Sequence, residues 1–119
     1  MKIVVPGRPV PAVRMTRRGA HVKPNAQRYL NYKSSVGWAA KAQKVKLIAG
    51  AVKVDIKLYL SGGNQGDIDN YAKSLTDGLN KIAYNDDRQI RKMNIEKIEC
   101  EKDEQRAEII VEELTGVKA

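Results

Sequence analysis

Val52-Lys53-Val54-Asp55-Ile56-Lys57-Leu58-Tyr59-Leu60 sets an aliphatic side chain at every second position, with Lys53, Asp55, Lys57 and Tyr59 between them. Successive strand side chains point to opposite faces, so this pattern predicts a strand with one buried face. Residues 61–66 then form a glycine-rich turn. Beyond it Ile68, Ala72, Leu75, Leu79 and Ile82 recur at steps of four, three, four and three. That spacing predicts an apolar stripe on a helix.

Reading downstream, Asn85-Asp86-Asp87 ends this helix as a loop. Two further strands are expected, a weakly patterned one over 89–100 and an alternating one over 107–111. The polar stretch 101–106 between them suggests a hairpin. Upstream of Gly50, residues 25–42 favour helix. Asn25 can cap it, Ala26, Leu30, Val36, Gly37 and Ala40 recur near helical spacing, and Tyr29, Tyr32 and Trp38 are expected to pack it. Ile3-Val4-Val5 reads as a short strand. Pro6, Pro9, Pro11 and Pro24 all fall in the first 24 residues and predict a stiff, extended arm. Arg17-Arg18-Gly19-Ala20 could form the tip of a small hairpin within it. The order β, arm, α, β, α, β, β gives an α/β class, two helices on a small mixed sheet.

The length of 119 residues suits a single domain over 1–119. With five Tyr, one Trp and no Phe, the core must be mostly aliphatic. Purely apolar runs are only a few residues long, too short to span a membrane. Ile3-Val4-Val5 is also too short for a signal-peptide core. A lone Cys100 excludes an internal disulfide and a multi-cysteine zinc site, so a reducing cytoplasm is the expected compartment.

Charge is unevenly spread. Of 22 Lys+Arg, eleven lie in residues 1–50, where no carboxylate occurs. The other eleven share residues 51–119 with all 14 Asp+Glu, a net 11 − 14 = −3. The arm residues Arg8, Arg14, Arg17, Arg18 and Lys23, with Arg28 beyond, could neutralise backbone phosphates without reading sequence, which points to nucleic acid. A solvated cationic surface is the plainer alternative. His21 is read as a bystander in that arm, and Cys100 as a small core residue.

The densest polar cluster is Gly66-Asp67-Ile68-Asp69-Asn70-Tyr71-Ala72-Lys73. Asp69 and Lys73, four apart, share a helix face. Two carboxylates at a strand-to-helix junction suit a hard divalent cation such as magnesium. On spacing alone, a helix cap and an Asp69–Lys73 surface pair explain them more simply. Asp86 and Asp87 could be turn residues, or complete a carboxylate cluster with Asp67 and Asp69. Phosphodiester cleavage needs such a cluster, because metal must offset the anion's charge and activate water. A nearby lysine adds fixed positive charge where negative charge develops. Asp55-Ile56-Lys57 is explained by strand alternation, and the turn over 61–66 lacks the residues of a phosphate loop.

Asp67-Ile68-Asp69-Asn70, Lys73, Asp77-Gly78-Leu79 and Asp86-Asp87-Arg88-Gln89-Ile90, within residues 67–90, resemble the RusA family of Holliday junction resolvases. The pattern is Asp-x-Asp-Asn-x-x-Lys, Asp-small-Leu, then Asp-Asp-x-Gln and an aliphatic residue. Gly7-Arg8-Pro9-Val10-Pro11 with Arg14, Arg17 and Gly19 is similar to the arm of one branch. The Pro-Ser-x-Asn motif of another branch is absent, so that branch's substrate contacts do not transfer. The resemblance implies a RusA-like fold and a magnesium-dependent endodeoxyribonuclease, with manganese as a substitute ion. It also implies a homodimer, often prophage-associated, that nicks two symmetric strands of a four-way DNA junction. On it Asp67, Asp69 and Asp87 are metal ligands, Lys73 is catalytic and Asp86 is auxiliary. A non-catalytic DNA-binding or annealing module and a broader structure-selective nuclease are the alternatives.

One geometric problem follows. A helix over 70–81 is about 18 Å long at 1.5 Å per residue, whereas paired metals sit only about 4 Å apart. Either residues 84–88 fold back along the helix, or Asp87 enters a partner subunit's site. A two-fold dimer makes the second route natural, and it is the one favoured from sequence.

Overall fold

The computed structural model describes residues 1–13 and 24–114. The predicted hairpin tip, together with Arg14, Arg17, Arg18, His21 and Lys23, lies outside them. The elements are β1 (Lys2–Pro6), α1 (Pro24–Ala42), β2 (Val52–Leu60), α2 (Ile68–Leu79), β3 (Ile90–Glu99) and β4 (Arg106–Glu113). Short 3-10 turns at Asp87–Gln89 and Lys102–Glu104 precede the last two strands. This is the expected order of elements and the expected α/β class.

Val52, Val54, Ile56, Leu58 and Leu60 are each no more than 2% exposed. They meet Ile3 and Val5 of β1 and Ala107, Ile109 and Val111 of β4 in one core. Tyr32, Val36 and Ala40 of α1 and Tyr71, Leu75 and Leu79 of α2 belong to the same cluster. The β2 residues between them, Lys53, Asp55, Lys57 and Tyr59, are half-buried or exposed. One sheet face therefore carries both helices and the other is open, the two-layer solution for half-buried strands.

The sheet order is β1-β4-β2-β3. β3 pairs in parallel with β2, as a connection through a helix allows. β4 pairs antiparallel with β2 on its other side and with β1 beyond. The expected β3–β4 hairpin is thus not formed. β3, patterned too weakly to bury a full face, is an edge strand. β4, whose alternate residues are wholly buried, takes the interior place. The 101–106 connection crosses the end of β2, where the Gln105 Oε1 accepts from Ser61 N at 3.0 Å.

Two helix faces depart from expectation. Ile68 is 37% exposed, and α2 instead buries Tyr71, Ser74, Leu75, Thr76, Gly78 and Leu79. Gly78 explains the rotation. A Cβ there would lie 2.7 Å from the Val36 Cβ and 3.0 Å from the Lys33 carbonyl oxygen, so α1 approaches α2 through the missing side chain. Gly78→Val is expected to force the helices apart and destabilise the fold by about 1–3 kcal/mol. Thermal unfolding measures this, and an unchanged melting temperature would contradict the contact. On α1, Tyr29 and Tyr32 are buried as expected, but Trp38 is 71% exposed.

Candidate active site

The β2–α2 loop is fixed before it reaches the first aspartate. Arg8 Nη1 donates to Ser61 O at 2.9 Å, and its Nη2 donates to Gly62 O at 3.0 Å and Asn64 O at 3.2 Å. Lys97 Nζ donates to Gly66 O at 2.8 Å, and Gly66 N donates to the Tyr71 hydroxyl at 3.1 Å. Gly66 must be glycine for space, since a Cβ would sit 2.8 Å from the Pro11 Cβ. Ala12 N donates to Asn70 O at 2.8 Å, laying the start of the arm across the head of α2.

Asp67 occupies the N-cap position of α2, yet its side chain makes no capping hydrogen bond. Asp69 stands in the first turn. Both are exposed, as is Lys73. Among the described residues no ion pair joins Asp69 to Lys73. The cap and the surface pair that spacing suggested are therefore not what these side chains do here. Both carboxylates stand at the positive end of the helix, which favours negative charge there. Asp77, eight residues beyond Asp69, continues the same face. Tyr29 donates its hydroxyl to the Asp77 Oδ2 at 2.7 Å. Burial, and after it Asp77, raises that phenol's pKa, so it remains a donor.

After α2 the chain reverses. Lys81 has a φ of 69° and donates to Tyr84 O at 2.7 Å. The Tyr84 hydroxyl donates back to Thr76 O at 2.8 Å. Gln89, only 6% exposed, secures the loop that follows. Its Oε1 accepts from Asn85 N at 2.7 Å and Asp86 N at 3.0 Å. Its Nε2 donates to Ile48 O and Gly50 O, both at 2.8 Å. The turn is thus tied back to the C-terminal half of α2 through Thr76.

Within this loop Asp86 caps a 3-10 turn, its Oδ1 accepting from Arg88 N at 2.9 Å. That backbone donor, with a hydrogen bond to Asp87 and the Arg88 guanidinium, lowers the Asp86 carboxyl to about 2. Asp87 is raised, first by its hydrogen bond to Asp86, then by desolvation and the charges of Asp86 and Asp77; Lys73 opposes this. Asp87 therefore shares an electrostatic neighbourhood with Lys73 and Asp77 of its own chain. Asp67 and Asp69 stand at the other end of α2. Among the described residues no three carboxylate, His or Cys side chains converge closely enough to cage an ion.

The donor set nonetheless fits a hard cation. It is all carboxylate oxygen, the donor type that a hard divalent cation takes. Two residues went unassigned in the sequence reading. Asp77 was signalled by its spacing of eight and four from Asp69 and Lys73. Gln89 is signalled locally by the Asp-x-x-Gln capping box it forms with Asp86, whereas its bonds to Ile48 and Gly50, about forty residues away, have no local signal. Of the cationic residues, Arg8 is engaged with the loop and Arg28 is exposed on α1.

No curated protein matches the chain. The family model described as Endodeoxyribonuclease RusA matches residues 6–112, which take in the arm, the Asp67–Lys73 cluster, the fold-back loop and nearly all of β4. The chain therefore belongs to the RusA family of endodeoxyribonucleases, a family of Holliday junction resolvases.

Proposed function

We propose that this chain, as one domain over 1–119, is a magnesium-dependent endonuclease. As a homodimer it resolves four-way DNA junctions by paired nicks in symmetric strands. One observation supports the reading: the Tyr84 hydroxyl ties the turn after α2 back to Thr76 O at 2.8 Å, so that Asp87 feels the charges of Lys73 and Asp77. Asp67, Asp69 and Asp87 would hold the ion, with Asp86 auxiliary. Bound there, magnesium or manganese supplies charge neutralisation and an activated water.

The chain's own residues do the rest. Lys73 would supply positive charge near Asp87, where the cleaved phosphodiester gains negative charge. Tyr29 orients Asp77, and Gln89 fixes the loop that carries Asp86 and Asp87. Arg8, Arg14, Arg17, Arg18, Lys23 and Arg28 supply cations for the DNA backbone, which they hold without reading sequence. No helix among the described residues is long and apolar enough to cross a membrane.

A substrate panel tests the reading. Four-way junctions, flaps, forks and linear duplex are incubated with protein and magnesium, and the strands are resolved on denaturing gels. Paired nicks confined to the four-way junction are expected. Equal cutting of flaps and forks would replace this reading with a broader structure-selective nuclease. Binding without nicks would leave only a DNA-binding module.

A further inference from the structure

We propose that Trp38 is a stacking platform for a DNA base displaced at the branch point, beside the active site; the proposal rests on the DNA-cleaving reading above. The chain has six aromatic rings. Tyr29, Tyr32, Tyr71 and Tyr84 are buried, and Tyr59 is covered by the Arg106 guanidinium, 3.8 Å from its ring centre. Trp38 alone is left to solvent, at 71% exposure.

The surroundings suit an anionic ligand that has a flat face. Lys41 Nζ lies 5.5 Å from the Trp38 ring centre. Lys33 and Lys41 line the hollow next to the indole, and α1 holds Arg28, Lys33 and Lys41 with no carboxylate. The hollow, of about 460 Å³, lies between α1 and α2, with Gly37 and Gly78 among its lining residues. It also reaches Asp77, the carboxylate that faces Asp87. One continuous surface therefore joins the exposed ring to the candidate active site. A stacked base would cover the indole, and its flanking phosphates would meet the two lysines. Stacking tolerates any base, since every base has a π face. A second copy of the chain suits this surface less well, because a two-fold contact brings the same patch of each chain together and so pairs two lysine-bearing surfaces.

As the only indole in the chain, Trp38 reports on itself. The experiment titrates a synthetic four-way junction into the full-length protein in EDTA, so that no cleavage intervenes. Indole emission and the anisotropy of a dye-labelled junction are followed together. Quenching that saturates in step with anisotropy is expected. Trp38→Ala is expected to weaken binding roughly ten- to a hundred-fold. Trp38→Phe restores most of the loss, and neither variant changes the salt dependence, because the ring touches no phosphate. The ring's exposure means that both variants keep the fold. Anisotropy that rises while emission stays unchanged, or wild-type affinity in Trp38→Ala, overturns the platform and leaves the nuclease reading intact. Emission already blue-shifted and dependent on protein concentration without DNA places a second copy on this face and also overturns it. No DNA binding by any variant overturns both readings.

Discussion

A mixed dimer pairing one Asp69→Asn chain with one Asp87→Asn chain is expected to nick a four-way junction no faster than either parent. Each substitution alone removes a carboxylate from the proposed metal shell. The charge stabilisation at stake is several kcal/mol, so each is expected to slow nicking on the order of a thousand-fold. The mixed dimer asks whether the two carboxylates serve the same chain. In the structure Asp87 is opposed by Lys73 and crowded by Asp77, both of its own α2, and the Tyr84 hydroxyl ties the turn back to Thr76. If Asp69 and Asp87 of one chain form one site, both sites of the mixed dimer are damaged. If Asp87 instead served the partner's site, one of the two would keep every carboxylate. Nicking of one strand near half the wild-type rate would establish that arrangement. Single-turnover cleavage by the purified mixed dimer distinguishes the two outcomes.

Gln89→Ala is expected to have the largest effect of any substitution away from the carboxylates. Its side chain makes four hydrogen bonds, two to the backbone of the Asp86 loop and two to the carbonyls of Ile48 and Gly50. Unsatisfied buried groups cost about 1–3 kcal/mol each. Partial rescue by water leaves an expected loss of about 2–4 kcal/mol. The consequence for function is separate. Groups that orient metal ligands typically contribute 10–100-fold in metal affinity or activity, and Gln89 holds the loop bearing Asp86 and Asp87. At a temperature where the variant is fully folded, cleavage is expected to fall by about that factor. Junction affinity is expected to stay near wild type, and added magnesium to recover part of the rate. A purely structural Gln89 would give wild-type rates at every magnesium concentration once folded.

How far the sequence is legible depends on whether a feature is local. β2 is plain because one residue in two is aliphatic, and nothing but a half-buried strand uses that period. The start of α2 follows from the loop before Asp67, but the helix stops at Leu79, short of the Ile82 and Asn85 that the apolar stripe and the polar loop suggested. Strand neighbours are a different matter. The alternation of Ala107, Ile109 and Val111 shows that β4 buries a face, but not that it lies between β1 and β2. The proximity of β3 in sequence misleads there. The close approach at Gly78 is likewise invisible until Val36 is placed against it. At the site, the motif spacing identified Asp67, Asp69, Lys73, Asp86 and Asp87 as candidates. The fold-back that sets Asp87 beside Lys73 rests on Tyr84 reaching Thr76 and Gln89 reaching Ile48 and Gly50. Side-chain bonds to backbone groups that far along the chain leave no periodic trace. Trp38 also reads as a packing residue in a helix whose apolar positions are spread around it.

On the proposed function, carboxylates on α2 and the loop after it hold the metal that cleaves junction DNA. End-labelled four-way junction is incubated with wild-type or Asp69→Asn protein, in magnesium or in EDTA, at concentrations where both bind it equally. Nicks in two symmetric strands are expected from the wild type in magnesium alone, and none from Asp69→Asn. Full junction binding with no magnesium-dependent nicks from the wild type, or equal nicking by Asp69→Asn, would contradict that reading.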